Sequence, residues 1–354
     1  MSDSNKDYKA VSLAENPFIK SSCKIYLPSI FTNEEEAAFT IARDWQQPGY
    51  ATIRESINHI YTYQYASDYR YVYKLLDDKD MYWLRFIARF KSVQSLQLQR
   101  QVAIYPNMLS RNKENEALKK LFKYGLTWKW SFERDYLEKP VTVYTLSDDG
   151  YRFLEYIFGN DNSYFQPQNF FRLDIKYHIR FWEIVDVYQM FLSMPFYKGF
   201  DTYFSLGSLD ADNRKKRNLY SPLQECLELF PNQKKNCVFF PALQTDNDDY
   251  YKKAITLWSK FTEDGSNLEK PVGKLEGSQN VLAFYAPTVS VADRLNSNLS
   301  LSLFNFPILI LVGSVIQKEG LLKAFYVPDK NGELPKLKRI ELPGLINEGD
   351  ENSF

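Results

Sequence analysis

The sequence predicts an α+β and α/β multidomain chain, a central winged helix-turn-helix followed by a mostly parallel α/β domain. Two observations carry this. Residues 78–160 spell helix, helix, helix, strand, loop, strand, helix, and from Cys237 onward short apolar runs alternate with helical stripes. At 354 residues the chain is too long for one small domain and accommodates two or three. The expected division is a disordered tail over 1–16, a helical or mixed segment over 17–77 and the winged helix over 78–160. A long helix plus the α/β domain follows over 170–340, then a flexible tail over 341–354.

Residues 1–16 are polar, without the apolar stretch of a signal peptide or anchor. After Pro28, Thr32-x-x-Glu35 is a capping box for a helix with Ala38, Ala42 and Trp45 on one side, stopped by Gln47-Pro48-Gly49. Thr52-x-x-Glu55 repeats the device ahead of Ile53, Ile57 and Ile60. Tyr61, Tyr63, Tyr65, Tyr69, Tyr71 and Tyr73 then alternate at period two, which favours a hairpin turned at Ala66-Ser67-Asp68. The same residues also read as a helix. Such a ladder serves either a half-buried sheet face or base stacking.

Within 78–160, Trp83, Leu84, Ile87 and Phe90 recur at helical spacing from Lys79 to Lys91. Ser95 caps a short second helix with Leu96, Leu98 and Val102, ended at Tyr105-Pro106-Asn107 because proline breaks the helical ladder. The third helix runs from about Ser110 to Gly125, with Leu118, Leu121, Phe122 and Leu126 as its buried stripe. Gly125 suits a left-handed cap. A strand over 127–134, a loop over 137–140 and a returning strand Val141–Leu146 precede Ser147, the cap of a helix over 148–158.

The third helix is the candidate nucleic-acid surface. Between Leu109 and Trp130, six basic residues (Arg111, Lys113, Lys119, Lys120, Lys123, Lys129) face two acidic ones (Glu114, Glu116). In a helix-turn-helix the N-terminal residues Arg111, Asn112, Lys113 and Asn115 meet base edges, arginine suiting guanine and asparagine adenine. Lys119, Lys120 and Lys123 suit phosphates, and Arg134 and Lys139 on the wing suit the adjacent minor groove. The alternative is a solvated basic face on a protein-docking winged helix. With 44 basic and 44 acidic residues, nucleic-acid binding has to come from such local patches.

Residues 160–168 read as a polar linker. Leu173, Tyr177, Phe181, Ile184, Tyr188 and Phe191 make 170–194 a long amphipathic helix, a bridge or dimerisation element or an internally packed one. Strands are expected over 237–243, 280–286, 307–312 and 324–327, with helices over 248–261 and 289–304 between them, giving a mostly parallel sheet covered on both faces. The apolar run Phe306–Val315 is far short of the roughly 20 residues that span a bilayer. No membrane partner is expected, and the chain reads as cytoplasmic.

Catalytic motifs are missing: no GxxxxGK[ST], no GxGxxG after a strand and no GxSxG. A metal-dependent nuclease of the strand-helix type needs carboxylates and a lysine on adjacent strands around Mg²⁺. Here the strand reads CVFFPALQTDNDD, with Asp246, Asp248 and Asp249 only past its end, where they suit helix capping. Two histidines (His59, His178) and three cysteines without CxxC spacing exclude zinc fingers and paired-histidine metal strands. The cysteines read as free thiols in a reducing compartment. No metal and no cofactor are expected. Arg214, Lys215, Lys216 and Arg217 form a second basic run in a loop, a phosphate clamp or a solvated surface.

ALKKLFKYGL, the aromatic strand after it and VTVYTLSDDGYRFL together resemble the replication-relaxation family of winged-helix accessory proteins from plasmids and conjugative elements. KYHIRFWEIVDVYQMF, through His178, resembles the helix that follows in that family. The resemblance runs from Asp78 to Val327. It implies a degraded nuclease-like fold for the α/β domain, and VFFPAL departs from the family's acidic strand there. It implies non-catalytic double-stranded DNA binding at an origin of transfer or replication in a Gram-positive mobile element. A relaxase, coupling protein or replication protein is then the expected protein partner, and a homodimer a further expectation. The alternatives are a winged-helix transcriptional regulator and a metal-dependent nuclease or nicking enzyme acting through the C-terminal domain.

Overall fold

The computed structural model describes residues 27–46, 50–105, 111–134, 137–159, 176–192, 194–202, 204–206, 219–230, 232–263, 265–269, 272, 275–330 and 335–340. They divide into two units: 37–185 form one, and those up to 36 join those from 186 onward in the other. The expected linker over 160–168, the basic run 214–217 and both tails lie outside the described residues.

The unit boundary falls within α1 (Asn33–Ala38), after Glu36, and β1 (Ala42–Arg43) follows in the first unit. The capping box is present: Thr32 N–H donates to Glu35 Oε2 at 2.9 Å and Glu35 N–H to Thr32 Oγ1 at 3.2 Å. The helix is shorter than expected. Ala42 and Arg43 pair antiparallel with Ser131 and Trp130, so a distant strand overrides helical spacing here. The second box holds α2 (Ile53–Asn58), though Ile53 and Ile57 face solvent.

The tyrosine segment is no hairpin. Tyr61–Tyr65 is irregular and α3 (Ala66–Leu75) follows. The reason is local: the Asp68 carboxylate accepts the N–H groups of Gln64 (2.8 Å) and Tyr65 (2.9 Å), satisfying donors at a helix start.

Then come α4 (Asp78–Phe90), β2 (Ser92–Gln94), α5 (Ser95–Ile104), α6 (Arg111–Lys123), β3 (Thr127–Phe132), β4 (Val141–Leu146) and α7 (Asp148–Phe158). The sheet order is β1-β3-β4-β2, antiparallel throughout. Trp83, Leu84, Ile87, Phe90, Leu118, Leu121, Phe122 and Leu126 are buried as their spacing predicts. Helix α5 differs from expectation. Leu98 is buried, but so are Gln97, Arg100 and Gln101, while Leu96 and Val102 are half-buried. Gln97 accepts the Gln94 N–H and donates to the Trp182 carbonyl, both within hydrogen-bond reach (3.0 and 2.8 Å). A polar side chain enters the interior there because both its ends are paired.

Helix α8 (Lys176–Leu192) is buried from His178 to Phe191, including its polar residues, so the internally packed alternative holds for these positions. The unit boundary falls within it, after Val185.

The second unit is built on a seven-stranded sheet. Its strands are β5 (Tyr197–Asp201), β8 (Leu223–Phe230), β9 (Gln233–Pro241), β10 (Gln279–Ala286), β11 (Ile308–Val312), β12 (Phe325–Pro328) and β13 (Leu337–Arg339), with β6 (Phe204–Leu206) and β7 (Leu219–Ser221) forming a separate ribbon. The order is β13-β12-β11-β10-β9-β8-β5. Only β9–β10 and β10–β11 are parallel, and the other pairings are antiparallel, so the sheet is mixed and not mostly parallel. Connection length explains this. Helices α9 (Asp249–Thr262) and α10 (Val289–Leu299) supply the long crossovers that parallel pairing requires. By contrast β8 and β9 meet across a tight turn with Asn232 at φ +61°. Helix α11 (Gly313–Glu319) leads from β11 toward β12.

Candidate nucleic-acid interface

Helix α6 is fixed at both its buried face and its C-terminus. Leu118, Leu121 and Phe122 are buried, while Glu116, Lys119 and Lys123 are exposed one helical face away. At the end, Gly125 takes φ +64°, the Gly125 N–H donates to the Phe122 carbonyl (2.8 Å) and Leu126 N–H to the Leu121 carbonyl (2.9 Å). This is a Schellman closure. A Cβ on Gly125 would meet the Tyr61 carbonyl at 3.0 Å. The chain therefore turns abruptly from α6 into β3.

The expected cations divide into three groups. Lys119 and Lys123 stand in solvent on α6, and Lys139 is exposed in the loop between β3 and β4. Lys120 is engaged internally: its ammonium lies 2.6 Å from Asp80 Oδ2, and Asp80 also accepts the Asp77 N–H at the start of α4. Lys129 pairs with Asp44 at 2.6 Å and donates to the Gln46 carbonyl at 3.0 Å. Arg134, expected on the wing, is buried. Arg111, Asn112, Lys113 and Asn115 occupy the first turns of α6, and their side chains lie outside the described ones. Arg214, Lys215, Lys216 and Arg217 are outside the described residues.

One arrangement near the sheet edge was not expected. The Arg43 guanidinium stacks over Trp45 at 3.6 Å and over Trp128 at 4.4 Å. Burial lowers its pKa to about 10, opposed by Asp148. Only the nonlocal pairing of β1 with β3 brings these three together, so no local sequence signal announces them.

Behind the sheet, the Ser92 hydroxyl sits 2.7 Å from His178 Nδ1 and accepts the Trp182 indole N–H at 3.0 Å. Burial pushes the His178 pKa down to about 3, so the ring is neutral. Trp182 stacks on Phe132 at 4.7 Å, and Phe39 meets both edge-on. His178 is thus a satisfied core histidine, whereas His59 is exposed.

In the second unit, Asp246 accepts the Leu243 N–H (2.9 Å) and the Tyr251 hydroxyl, closing the turn between β9 and α9. Asp248 precedes α9 without a side-chain cap and instead accepts from Asn298 Nδ2 at 2.9 Å. The expected capping role is replaced by these two ties. Cys226 and Cys237 are free and buried. Glu225, which sequence reading passed over, is fully buried on β8 opposite Cys237 on β9, and neither carboxylate oxygen has a hydrogen-bond partner. Burial raises its pKa well above the usual carboxylate range and pushes the Cys237 thiol up as well. Among the described residues, no group of three or more His, Cys, Asp or Glu side chains is placed to hold a metal ion, and no helix is long and apolar enough to cross a membrane.

No protein-family model, no curated protein and no solved structure matches this chain.

Proposed function

We propose that the chain is a non-catalytic double-stranded DNA-binding protein whose residues 78–158 form a winged helix, with α6 entering the major groove. One observation carries this reading. The order α4, β2, α5, α6, β3, β4 puts a helix with exposed Lys119 and Lys123, and with Arg111, Asn112, Lys113 and Asn115 in its first turns, just ahead of a two-stranded loop bearing exposed Lys139. The second unit is read as a nuclease-like sheet without nuclease chemistry. The antiparallel run β5, β8, β9 is followed by parallel β10 and β11. Cys237, Val238 and Phe239 stand on β9 where a carboxylate-x-Lys pair would be needed. The biological setting proposed is accessory DNA binding in plasmid or mobile-element transfer or replication.

Anisotropy titrations of the full chain against selected and random duplexes, at several salt concentrations, test the reading. Lys123→Ala is expected to weaken binding to all sequences and to reduce the salt slope by about one. Arg111→Ala is expected to cost about 1–3 kcal/mol on the selected site alone. Wild-type affinity in both variants at every salt would overturn α6 as the reader. Incubating supercoiled plasmid with Mg²⁺ or Mn²⁺ tests the competing nuclease reading, which metal-dependent nicking abolished by Asp246→Ala would establish.

A further inference from the structure

The strands of the second unit all come from residue 197 onward, yet residues 28–36 belong to that unit as well. They add no strand to its sheet and lie instead across the carboxyl ends of its parallel strands. Gln317, on the helix that follows β11, donates from Nε2 to the Pro28 carbonyl at 3.0 Å. Gln244, three residues past the end of β9, donates from Nε2 to the Phe31 carbonyl. Strand β10 lies between β9 and β11, so the segment spans the ends of all three. Asp186 accepts the Ser29 N–H at 2.8 Å. These three ties reach main-chain atoms only, so they hold the segment without reading its side chains.

Two side chains are read. Phe31 is buried and Glu36 is 1% exposed. Glu36 Oε1 accepts the Gln244 N–H at 3.0 Å, and Oε2 accepts the Thr245 N–H at 2.9 Å and the Thr245 hydroxyl at 3.0 Å. Behind this turn Arg294 donates to the carbonyls of Gln244 (2.7 Å) and Leu243 (3.1 Å). The carbonyls are thereby taken up by the guanidinium, and the successive N–H groups are left as an anion-binding concavity.

We propose that this crevice is a peptide-binding site, filled in cis by residues 28–36. Its ligand class is a peptide carrying an aromatic residue and, five positions on, a glutamate, as Phe31 and Glu36 do here. Position supports this, because open α/β sheets take their ligands outside the carboxyl ends of parallel strands. So does construction: Gln244, Thr245, Arg294 and Gln317 all belong to the sheet-bearing part of the unit, which builds the site without the segment that fills it. A carboxylate suits the three donors better than a phosphate does, since Asp246 and Asp248 follow within a few residues and oppose a dianion. The proposal does not depend on DNA binding by α6.

Fluorescence anisotropy of a labelled peptide copying residues 27–37 tests this on the full chain. Phe31→Ala/Glu36→Ala loosens the cis segment, and that variant is expected to bind the peptide saturably. The wild type is expected to bind it about tenfold more weakly or worse, because its own segment competes at an effective concentration of about millimolar. Glu36→Gln in the peptide, and Thr245→Val added to the double variant, are each expected to lower affinity about tenfold. Circular dichroism checks the folding of each variant. A folded double variant that ignores the peptide overturns the proposal. So does a Glu36→Gln peptide that binds as tightly as its parent, or a wild type that binds as tightly as the double variant. Hydrogen exchange on the wild type decides the matter if the double variant does not fold. The Gln244 and Thr245 amides are then expected to exchange through local release of the segment, faster than those of Val238 and Phe239 on β9. Exchange of all four only with global unfolding would make residues 28–36 a fixed part of the fold and overturn the proposal.

Discussion

Among the described residues, the first unit leaves more large apolar side chains in water than the second. Eight exposed ones (Ile53, Ile57, Tyr65, Tyr71, Tyr73, Leu75, Tyr156 and Phe158) belong to the first, against Tyr220, Val289 and Leu303 in the second. In the second unit, strands β10 and β11 are buried almost without interruption, as strands covered on both faces require. Singly exposed hydrophobics mean little by themselves, and Tyr71, Tyr156 and Tyr73 each lean on a neighbouring ring, Tyr61, Tyr69 and Phe153 respectively. In the second unit, Glu225 and the two thiols at Cys226 and Cys237 are turned inward instead.

If both cores are close-packed, a buried tryptophan should matter equally in each. Trp83→Ala and Trp258→Ala are each expected to cost about 3–5 kcal/mol in urea unfolding, the largest effects foreseen. Trp258 differs in that its indole N–H has no partner. Trp258→Phe is therefore expected to recover most of that loss. A Trp258→Ala cost below about 1 kcal/mol would contradict a tightly packed second unit.

The units also differ in how their buried titratable groups respond to pH. His178 has its folded pKa depressed to about 3. Its contribution is fully present above the unfolded value of about 6.5 and is lost as pH falls toward the folded one, about 2 kcal/mol by pH 5. Glu225 has its folded pKa raised by burial. The folded state then holds a proton that the unfolded chain releases above about pH 4.3, so stability falls as pH rises beyond that point. His178→Gln is expected to flatten the acid limb, and Glu225→Gln to flatten the alkaline limb and raise stability at pH 8. Unfolding curves at pH 5, 6.5 and 8 check both signs. Destabilisation by Glu225→Gln at pH 8 would mean that the carboxylate is ionised and held by a partner.

Local devices were the most legible part of the sequence. Val141–Leu146 and Asp148–Phe158 fall where alternation and the Ser147 cap put them, and Ser147 Oγ accepts the Gly150 N–H at 2.9 Å. The stripe of α6 and its glycine end were equally readable, because each signal lies within a few residues of the structure it dictates. What escaped depended on distant partners. Strand β1 exists because β3 offers an edge, and β8 (LQECLELF) becomes interior only between β5 and β9. Period two misled in Tyr61–Tyr73 because the decisive contact was a single carboxylate, Asp68. Among the candidate cations, composition treated Lys119, Lys120 and Lys123 alike, and only the fold separates them.

The Ser147 cap sets the scale of these local devices. Ser147→Ala is expected to cost about 1 kcal/mol. A Cβ on neighbouring Gly150 would lie 2.0 Å from the Leu126 carbonyl, so Gly150→Ala should cost more than the cap itself. Thermal unfolding ranks the two. The reverse ranking would mean that α7 is free to shift away from Leu126.

The smallest effect foreseen separates Lys120 from its neighbour on the same helix. Lys120 is one-third exposed, and its partner Asp80 is nearly buried and already accepts a backbone N–H. Removing the ammonium leaves that carboxylate with less compensation, a loss of about 0.5–1 kcal/mol for a pair placed between surface and interior. Lys120→Ala should therefore lower thermal stability slightly and leave the salt dependence of DNA binding as it is. Lys123, exposed and one helical turn further on, should behave in the opposite way, with unchanged melting and a shallower salt slope. Asp80→Asn sharpens the distinction, since it weakens the hold on Lys120 without deleting a cation. If the phosphate backbone passes within reach, that variant should steepen the salt slope where Lys120→Ala does not change it. Equal loss of slope in Lys120→Ala and Lys123→Ala would show that DNA draws Lys120 away from Asp80, and the ion pair would then be a feature of the free protein alone.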